Sequence, residues 1–305
     1  MMNMIGLINI AAALVLAPLV PGIINRTKAK FAGRKGAPLL QNYYDIIKLL
    51  RKGAVISWSA TWISKIGPAI SLVAVMISLS LLPLGGGASF LSFSGDLILF
   101  AYLLGVARFF VVLSALDAGS SFEGMGASRD VMFSALAEPT LMISLLTLAR
   151  VSDSFSLSGI YSGLASSWGG HGMAIFLAAV VLFIVLLAEN SRIPIDDPNT
   201  HLELTMIHEV MVLDLGGPDL AFITYGAALK LWIFSSLFGG VIFPSSSSSC
   251  ALSLLSSISI IFITAIAVGV VESTMARLKM MRVPQLLSGA ASVAMLAFLI
   301  SFLLG

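Results

Sequence analysis

The chain has 305 residues, 58% of them hydrophobic and only 10% charged, with a formal net charge of +2. Its mean hydropathy of +1.02 excludes an ordinary soluble domain, and the net charge says little beside its distribution; no nucleic-acid partner is expected. A single cysteine, Cys250, excludes a disulfide framework and a cysteine-ligated metal site.

Apolar runs near 20 residues recur along the chain, the length a helix needs to cross a ~30 Å hydrocarbon core. Backbone groups in lipid must bond internally, so the spans are expected to be helices. The alternating pattern of a membrane barrel is absent. The expected fold is an all-α integral membrane protein, one transmembrane domain over 1–305. Eight spans are expected, at about 4–24, 66–83, 96–116, 131–150, 171–188, 221–243, 250–271 and 284–304. No cleavable signal peptide is evident, because the first apolar run is long enough to span and basic residues follow it. Pro68 and Pro284 are placed in first turns, where proline is tolerated. Neither an internal repeat nor a break within a span is expected, which argues against a stand-alone transporter.

Lysine and arginine set the orientation. Fourteen of the 17 fall in segments 25–65, 117–130, 189–220 and 272–283, while the other connections hold none. The positive-inside rule makes those four segments cytoplasmic and puts both termini outside. The first of them is the basic segment 25–65. Its core "LLQNYYDIIKLLRK" has apolar residues at 39, 40, 43, 46, 47 and 50, which is helical spacing. Two compatible readings stand: an amphipathic anchor on anionic headgroups, or a docking site for a partner.

After span three comes "LDAGSSFEGMGASRD", with Asp117, Glu123 and Asp130. Ser128 is expected to cap span four, with Gly124 and Gly126 in a tight turn. The GK[ST] ending of a phosphate loop is missing. Ionisable residues also enter the spans: Arg108 mid-span, Glu138, and Lys230, with Glu189 and Glu272 at cytoplasmic ends. A charge at mid-membrane costs roughly 2.5–3.5 kcal/mol on insertion scales, so these side chains should face protein or water. They read either as buried ion pairs or as a proton or ion path. The gathering of carboxylates at one level favours the path.

The densest polar stretch is "ENSRIPIDDPNTHLELTMIHE", residues 189–209, within a cytoplasmic acidic loop 189–220. It holds five of the fifteen acidic residues. Pro194 and Pro198 interrupt any continuous helix. Thr200 and Glu203 fit a capping box that would start a helix running to about Asp214. That helix would align His201, Thr205 and His208, with Glu209 beside them. The spacing is not that of a zinc protease and lacks a third ligand, so no metal is expected and proton transfer or polar packing is preferred.

These residues resemble a known family. "AEN-SRIPIDDP…HLEL" is similar to the loop of the complex I H-subunit family, which includes the equivalent subunits of group 4 membrane-bound [NiFe] hydrogenases. The matching positions are Glu189, Arg192, Pro194, Asp196, Glu203 and Leu204. "AKFAGRKGAPLLQNYYDIIKLLRK" resembles the family's basic segment, with Arg34, Gly36 and Pro38 matching. "LDAGSSFEGMGASRD" resembles the version found in the hydrogenase-4 and formate hydrogenlyase branch, and "ESTMARLK" resembles the end of span seven. Asn199 and His201 stand where quinone-reducing members carry glutamates, and Glu209 is displaced by two positions. Those departures favour the hydrogenase branch.

The resemblance implies a non-catalytic membrane-anchoring and ion-coupling subunit of an energy-conserving hydrogenase in a prokaryotic plasma membrane. It implies no cofactor in this chain. The [NiFe] centre and iron–sulfur clusters would sit in partners: hydrogenase large and small subunits and iron–sulfur subunits on the cytoplasmic face, with antiporter-like subunits in the bilayer. The expected path comprises Glu138, Glu189, Glu203, Glu209, Glu123, Asp196, His201, His208 and Lys230. The expected partner interface comprises Arg34, Lys35, Gly36, Pro38, Arg129 and Arg192. A quinone-reducing complex I subunit and, further off, a stand-alone ion transporter remain the alternatives.

Overall fold

A bend opens the bundle. In the computed structural model, which describes residues 2–55, 57–84, 89–196, 207–244 and 250–303, the first span is two helices. They are α1 (Met2–Leu16) and α2 (Leu19–Phe31), set at 45°. Pro18 has no N–H to offer the Leu14 carbonyl, and its ring crowds the same turn. A broken span is tolerated in lipid where neighbours satisfy the freed backbone. The Tyr225 hydroxyl donates to the Leu14 carbonyl at 2.8 Å, and the Tyr43 hydroxyl donates to the Val15 carbonyl. The expectation of unbroken spans is thereby corrected.

Tyr43 belongs to α3 (Gln41–Leu50), the helix expected in the basic segment. Its reach to the bend stands α3 against the bundle wall, beside α9 (Gly217–Ile242). Gly217 has φ +53°, and a Cβ there would meet the Lys52 carbonyl at 2.8 Å, so only glycine fits this approach. The outward face of α3 leaves Leu40, Tyr44 and Ile47 exposed.

Next come α4 (Trp62–Ser80), α5 (Asp96–Asp117), α6 (Ser121–Ser152) and α7 (Leu157–Glu189). Asp117 fastens α4 to α5: its carboxylate accepts from the Thr61 N–H at 2.8 Å and the Ser64 hydroxyl at 2.6 Å. Pro68 is the seventh residue of α4 rather than a first-turn residue; Pro284 does fall in the first turn of its helix. At the other end of α5, buried Asp96 accepts from the Ser156 hydroxyl at 2.8 Å and the Leu157 N–H at 2.7 Å. An acid of one helix thus caps the N-terminus of another, where the dipole favours negative charge.

Both α6 and α7 are longer than expected. The connection at 151–170 shrinks to residues 153–156, and α7 bends at His171, whose φ and ψ are −115° and 22°. Helix α6 begins at Ser121, so Ser128 lies inside it and donates to the Met125 carbonyl at 2.9 Å. The expected cap at Ser128 and turn at Gly124 and Gly126 are therefore corrected. Gly126 serves close approach instead, since a Cβ there would lie 2.9 Å from the Ile207 carbonyl oxygen.

The chain closes with α8 (His208–Met211), α9, α10 (Cys250–Thr274), a 3-10 turn at Met280–Arg282 and α11 (Val283–Leu303). Of the helix expected over 200–214, the described part holds the single turn of α8, followed by non-helical 212–214. Its proposed cap at Thr200, together with His201, Glu203 and Thr205, lies outside the described residues. Among the described residues seven helices are each long and apolar enough to cross a membrane, and the bent first pair brings the number to eight. Thr140, Ser144 and Thr147 on α6 each donate to the carbonyl four residues back, at 2.7–2.9 Å. Hydroxyls buried in the bundle are satisfied this way without partner helices.

Candidate functional site: a buried charge cluster between two cavities

Arg108 is the centre of the polar interior. It lies nine residues from the end of α5, about 14 Å along the helix from Asp117, roughly half the depth of a hydrocarbon layer. Its guanidinium reaches Glu138 on α6 at 2.6 Å, Asp130 on α6 at 3.4 Å, and Glu189 at the end of α7. Lys230 on α9 approaches the same Glu189 oxygen at 2.9 Å. Four helices therefore deliver five charged groups to one place. The planar fork of arginine suits such multiple carboxylate contacts better than lysine does.

Glu189 is the pivot. Its side chain is 3% exposed. One carboxylate oxygen, Oε2, holds both cations, while the other, Oε1, is buried with no hydrogen-bond partner. Because Glu189 meets Arg108, α7 ends inside the bundle and not at its rim. The chain that follows is buried at Ile193, Ile195 and Asp196. The stretch read as a cytoplasmic acidic loop thus begins in the interior. The Asn190 amide donates to the Leu186 carbonyl at 2.8 Å and the Arg192 N–H to the Leu187 carbonyl at 2.9 Å, so the helix end is closed on itself.

Two cavities meet at Glu189. One, of about 90 Å³, is lined by Arg108, Asp130, Glu189, Asn190, His208 and Lys230 among others. The second, of about 300 Å³, lies between α5 and α6 and is lined by Tyr102, Glu138 and Glu189 among mostly apolar groups. A water needs ~10–15 Å³ of such space and two to four polar partners. Both cavities meet that condition. Three carboxylates face two cations here, so the formal charge is one negative, which a single proton neutralises. The arrangement can hold a proton and pass it between Glu189 and Glu138.

The other expected residues are dispersed. Asp196 accepts from the N–H groups of Ile207 and His208 at 3.2 and 3.3 Å and pairs with Arg277 at 2.9 Å. Glu272, also buried, pairs with Lys28 at 2.8 Å and Arg192 at 3.5 Å. Glu123 is buried in the first turn of α6, where its carboxylate accepts from the Asp214 N–H at 2.9 Å. Glu209 is half-buried on α8 beside His208. Arg34, Lys35, Gly36 and Pro38 are all exposed; Arg129 and Arg192 are half-buried. Among the described residues no group of three or more histidine, cysteine, aspartate and glutamate side chains could hold a metal.

Arg108 and Asp130 were not on the expected path. The signal for Arg108 was available, since a lone arginine in mid-span is a functional mark by default. Asp130 carried none: it reads as a rim residue until α6 is seen to start nine residues earlier.

Comparison with known proteins bears on what this cluster belongs to. Residues 3–303 match the family model described as NADH dehydrogenase. The chain is 30% identical over 299 residues to formate hydrogenlyase subunit 4 of Escherichia coli K12, covering 96% of each. It is 33% identical over 231 residues to hydrogenase-4 component C of the same organism, covering 76% of this chain and 72% of that one. A solved structure of the membrane-bound sulfane sulfur reductase, an archaeal respiratory membrane complex, contains a chain of the same fold. The TM-score is 0.82 at 22% identity, with 98% of each chain covered.

Proposed function

Because the chain belongs to the NADH dehydrogenase family of complex I subunits and is a membrane subunit of a complex I-like hydrogenase or respiratory complex, we propose that it is the anchoring and ion-coupling subunit of an energy-conserving [NiFe] hydrogenase. Redox chemistry in docked subunits drives a proton or sodium ion through the carboxylates of this chain. The observation that carries the reading is Glu189, a buried carboxylate shared by two cations and by two cavities that approach it from different sides.

The buried acids and water-sized spaces supply the relay. Glu189 and Glu138 are its central pair, with Lys230 and His208 lining the first cavity. Glu123 and Glu209 belong to the approach from the basic end, Glu203 and His201 are assigned to it by the resemblance alone, and Asp196, a path residue by the same resemblance, fastens the turn after α7 through Arg277. The [NiFe] centre and iron–sulfur clusters reside in partner subunits. Exposed Arg34 and Lys35, with Gly36 and Pro38, form the docking face for those subunits, and Arg129 and Arg192 support it. The two relatives reported above, a formate hydrogenlyase subunit and a hydrogenase-4 component, support this branch. A quinone tail would have to enter between the first span and α9. There the hydroxyls of Tyr43 and Tyr225 bind the bend of that span to α3 and α9, which favours the hydrogenase reading over quinone reduction.

The test is Glu138→Gln and Glu189→Gln in the assembled complex. Assembly is expected to survive in Glu138→Gln, and ion translocation per redox turnover is expected to fall in both. Wild-type coupling in both variants overturns the relay.

A further inference from the structure

The ion-paired group at the basic end carries more positive charge than its own acids neutralise. Glu272, near the end of α10, pairs with Lys28 of α2 and with Arg192 of the turn after α7, and Asp196 of that turn pairs with Arg277 just beyond α10. Among the described residues three cations thus meet two carboxylates, and the group is formally one positive. Arg192 is the most loosely held. Its guanidinium stands 3.5 Å from Glu272, and its Nε–H is buried with no acceptor on the chain. The fold leaves this donor for an acceptor from outside the chain. All three cations keep an edge at the surface, with 21% of the Lys28 side chain, 12% of Arg192 and 19% of Arg277 exposed.

The surroundings are basic and apolar together. Lys279 and Arg282 are exposed in the same connection as Arg277, and Lys30 is exposed near the end of α2. The same stretches expose Phe31, Met275 and, at 83%, Met281. The outer face of α10 that leads to the group is apolar and exposed at Ile263 and Ile266. A soluble partner would satisfy the cations and leave these apolar side chains unmatched. A phospholipid satisfies both, because its phosphate is anionic and its acyl chains follow the helix wall. Basic pockets between spans on the positively charged side bind anionic headgroups in this way, and the planar guanidinium fork matches phosphate. We propose that the ends of α2 and α10 seat an anionic phospholipid, its phosphate on Arg192, Lys28 and Arg277 and its acyl chains along α10. This site does not depend on the relay through Glu189.

The experiment uses the complete complex in nanodiscs of phosphatidylcholine with a trace of phosphatidylglycerol that carries a photoreactive headgroup. Labelled peptides are identified by mass spectrometry after illumination. Labelling is expected in 26–31 and 275–282, to be displaced by unlabelled phosphatidylglycerol, and to withstand inorganic phosphate at the same concentration. No label in either stretch overturns the proposal. Displacement by inorganic phosphate makes the ligand a free anion and overturns the lipid source. Label that enters only after the soluble subunits have been stripped gives the cations to a protein partner, which also overturns it. Charge variants supply a test of sign. Arg192→Gln brings the group to zero and is expected to weaken the competing phosphatidylglycerol about fivefold, the worth of one basic residue near a charged leaflet. Glu272→Gln brings it to two positive and is expected to strengthen the competitor by a similar factor. Shifts in the same direction overturn the proposal, since a mere fastening is weakened by either change. Should both variants fail to accumulate, Lys279→Gln combined with Arg282→Gln, which breaks none of the pairs above, is expected to weaken the competitor at least about fivefold; unchanged competition overturns the proposal.

Discussion

Two regions of the molecule hold buried carboxylates on basic side chains, and they differ in what surrounds them. Around Arg108, three acids face two cations, and cavities of about 90 and 300 Å³ adjoin the pair. At the basic end, Glu272 and Asp196 face Lys28, Arg192 and Arg277, and neither acid lines the cavities described above. That second group is a clamp. With three cations to two acids it is formally one positive and calls for no proton, and it joins α2, α10 and the turn after α7, helped by the Leu278 N–H to Pro194 carbonyl bond at 2.9 Å. Ion pairing alone therefore separates nothing. Charge balance and room for water are what distinguish a path from a fastening.

The comparison breaks most visibly at Arg108. Arg108→Met takes the paired cation from Glu138 and Asp130 and leaves Glu189 with Lys230 alone, and losing one partner of a buried pair costs about 3–5 kcal/mol. The subunit is expected not to accumulate in membranes, measured by quantitative immunoblotting against an unrelated membrane protein. Normal levels would show that the cluster is already hydrated in the resting state. Glu189→Gln and Asp196→Asn form the sharper pair. The first is expected to slow coupled turnover on the order of 10²-fold, the low end for a proton-transfer group. The second is expected to lower thermal stability by about 1.5–3 kcal/mol, the worth of hydrogen bonds to a charged group, with ions moved per turnover unchanged in the complex that assembles. Similar coupling loss in both would erase the distinction between the regions. The smallest effect is expected at Tyr225→Phe, which removes one hydroxyl from the bend of the first span and costs about 1 kcal/mol, read as a small drop in the thermal inactivation midpoint with coupling intact.

Much of the fold was legible because lipid leaves few choices. Apolar runs of about 20 residues must be helices, and the lysine and arginine alternation follows the same boundaries. The bend at Pro18 escaped notice because its stabilising partners, Tyr43 and Tyr225, are distant in sequence. Hydropathy reads through "APLVPG" as one run. The depth of Glu189 escaped for a related reason: a helix end looks like a surface until Arg108, 81 residues earlier, is seen to meet it. Composition identified Glu138, Glu189 and Lys230 as ionisable residues in apolar spans. Pairing between helices, which decides whether such residues conduct or merely fasten, leaves no trace in a single sequence.

The tyrosine contacts at the bend also bear on biogenesis. The carbonyl of Leu14 finds its donor 211 residues downstream, so the bend, made well before its partner, cannot settle until α9 has been threaded into the bilayer. The amino-terminal end is expected to be among the last parts to mature, held open by its own unmet polar group while the later helices arrive.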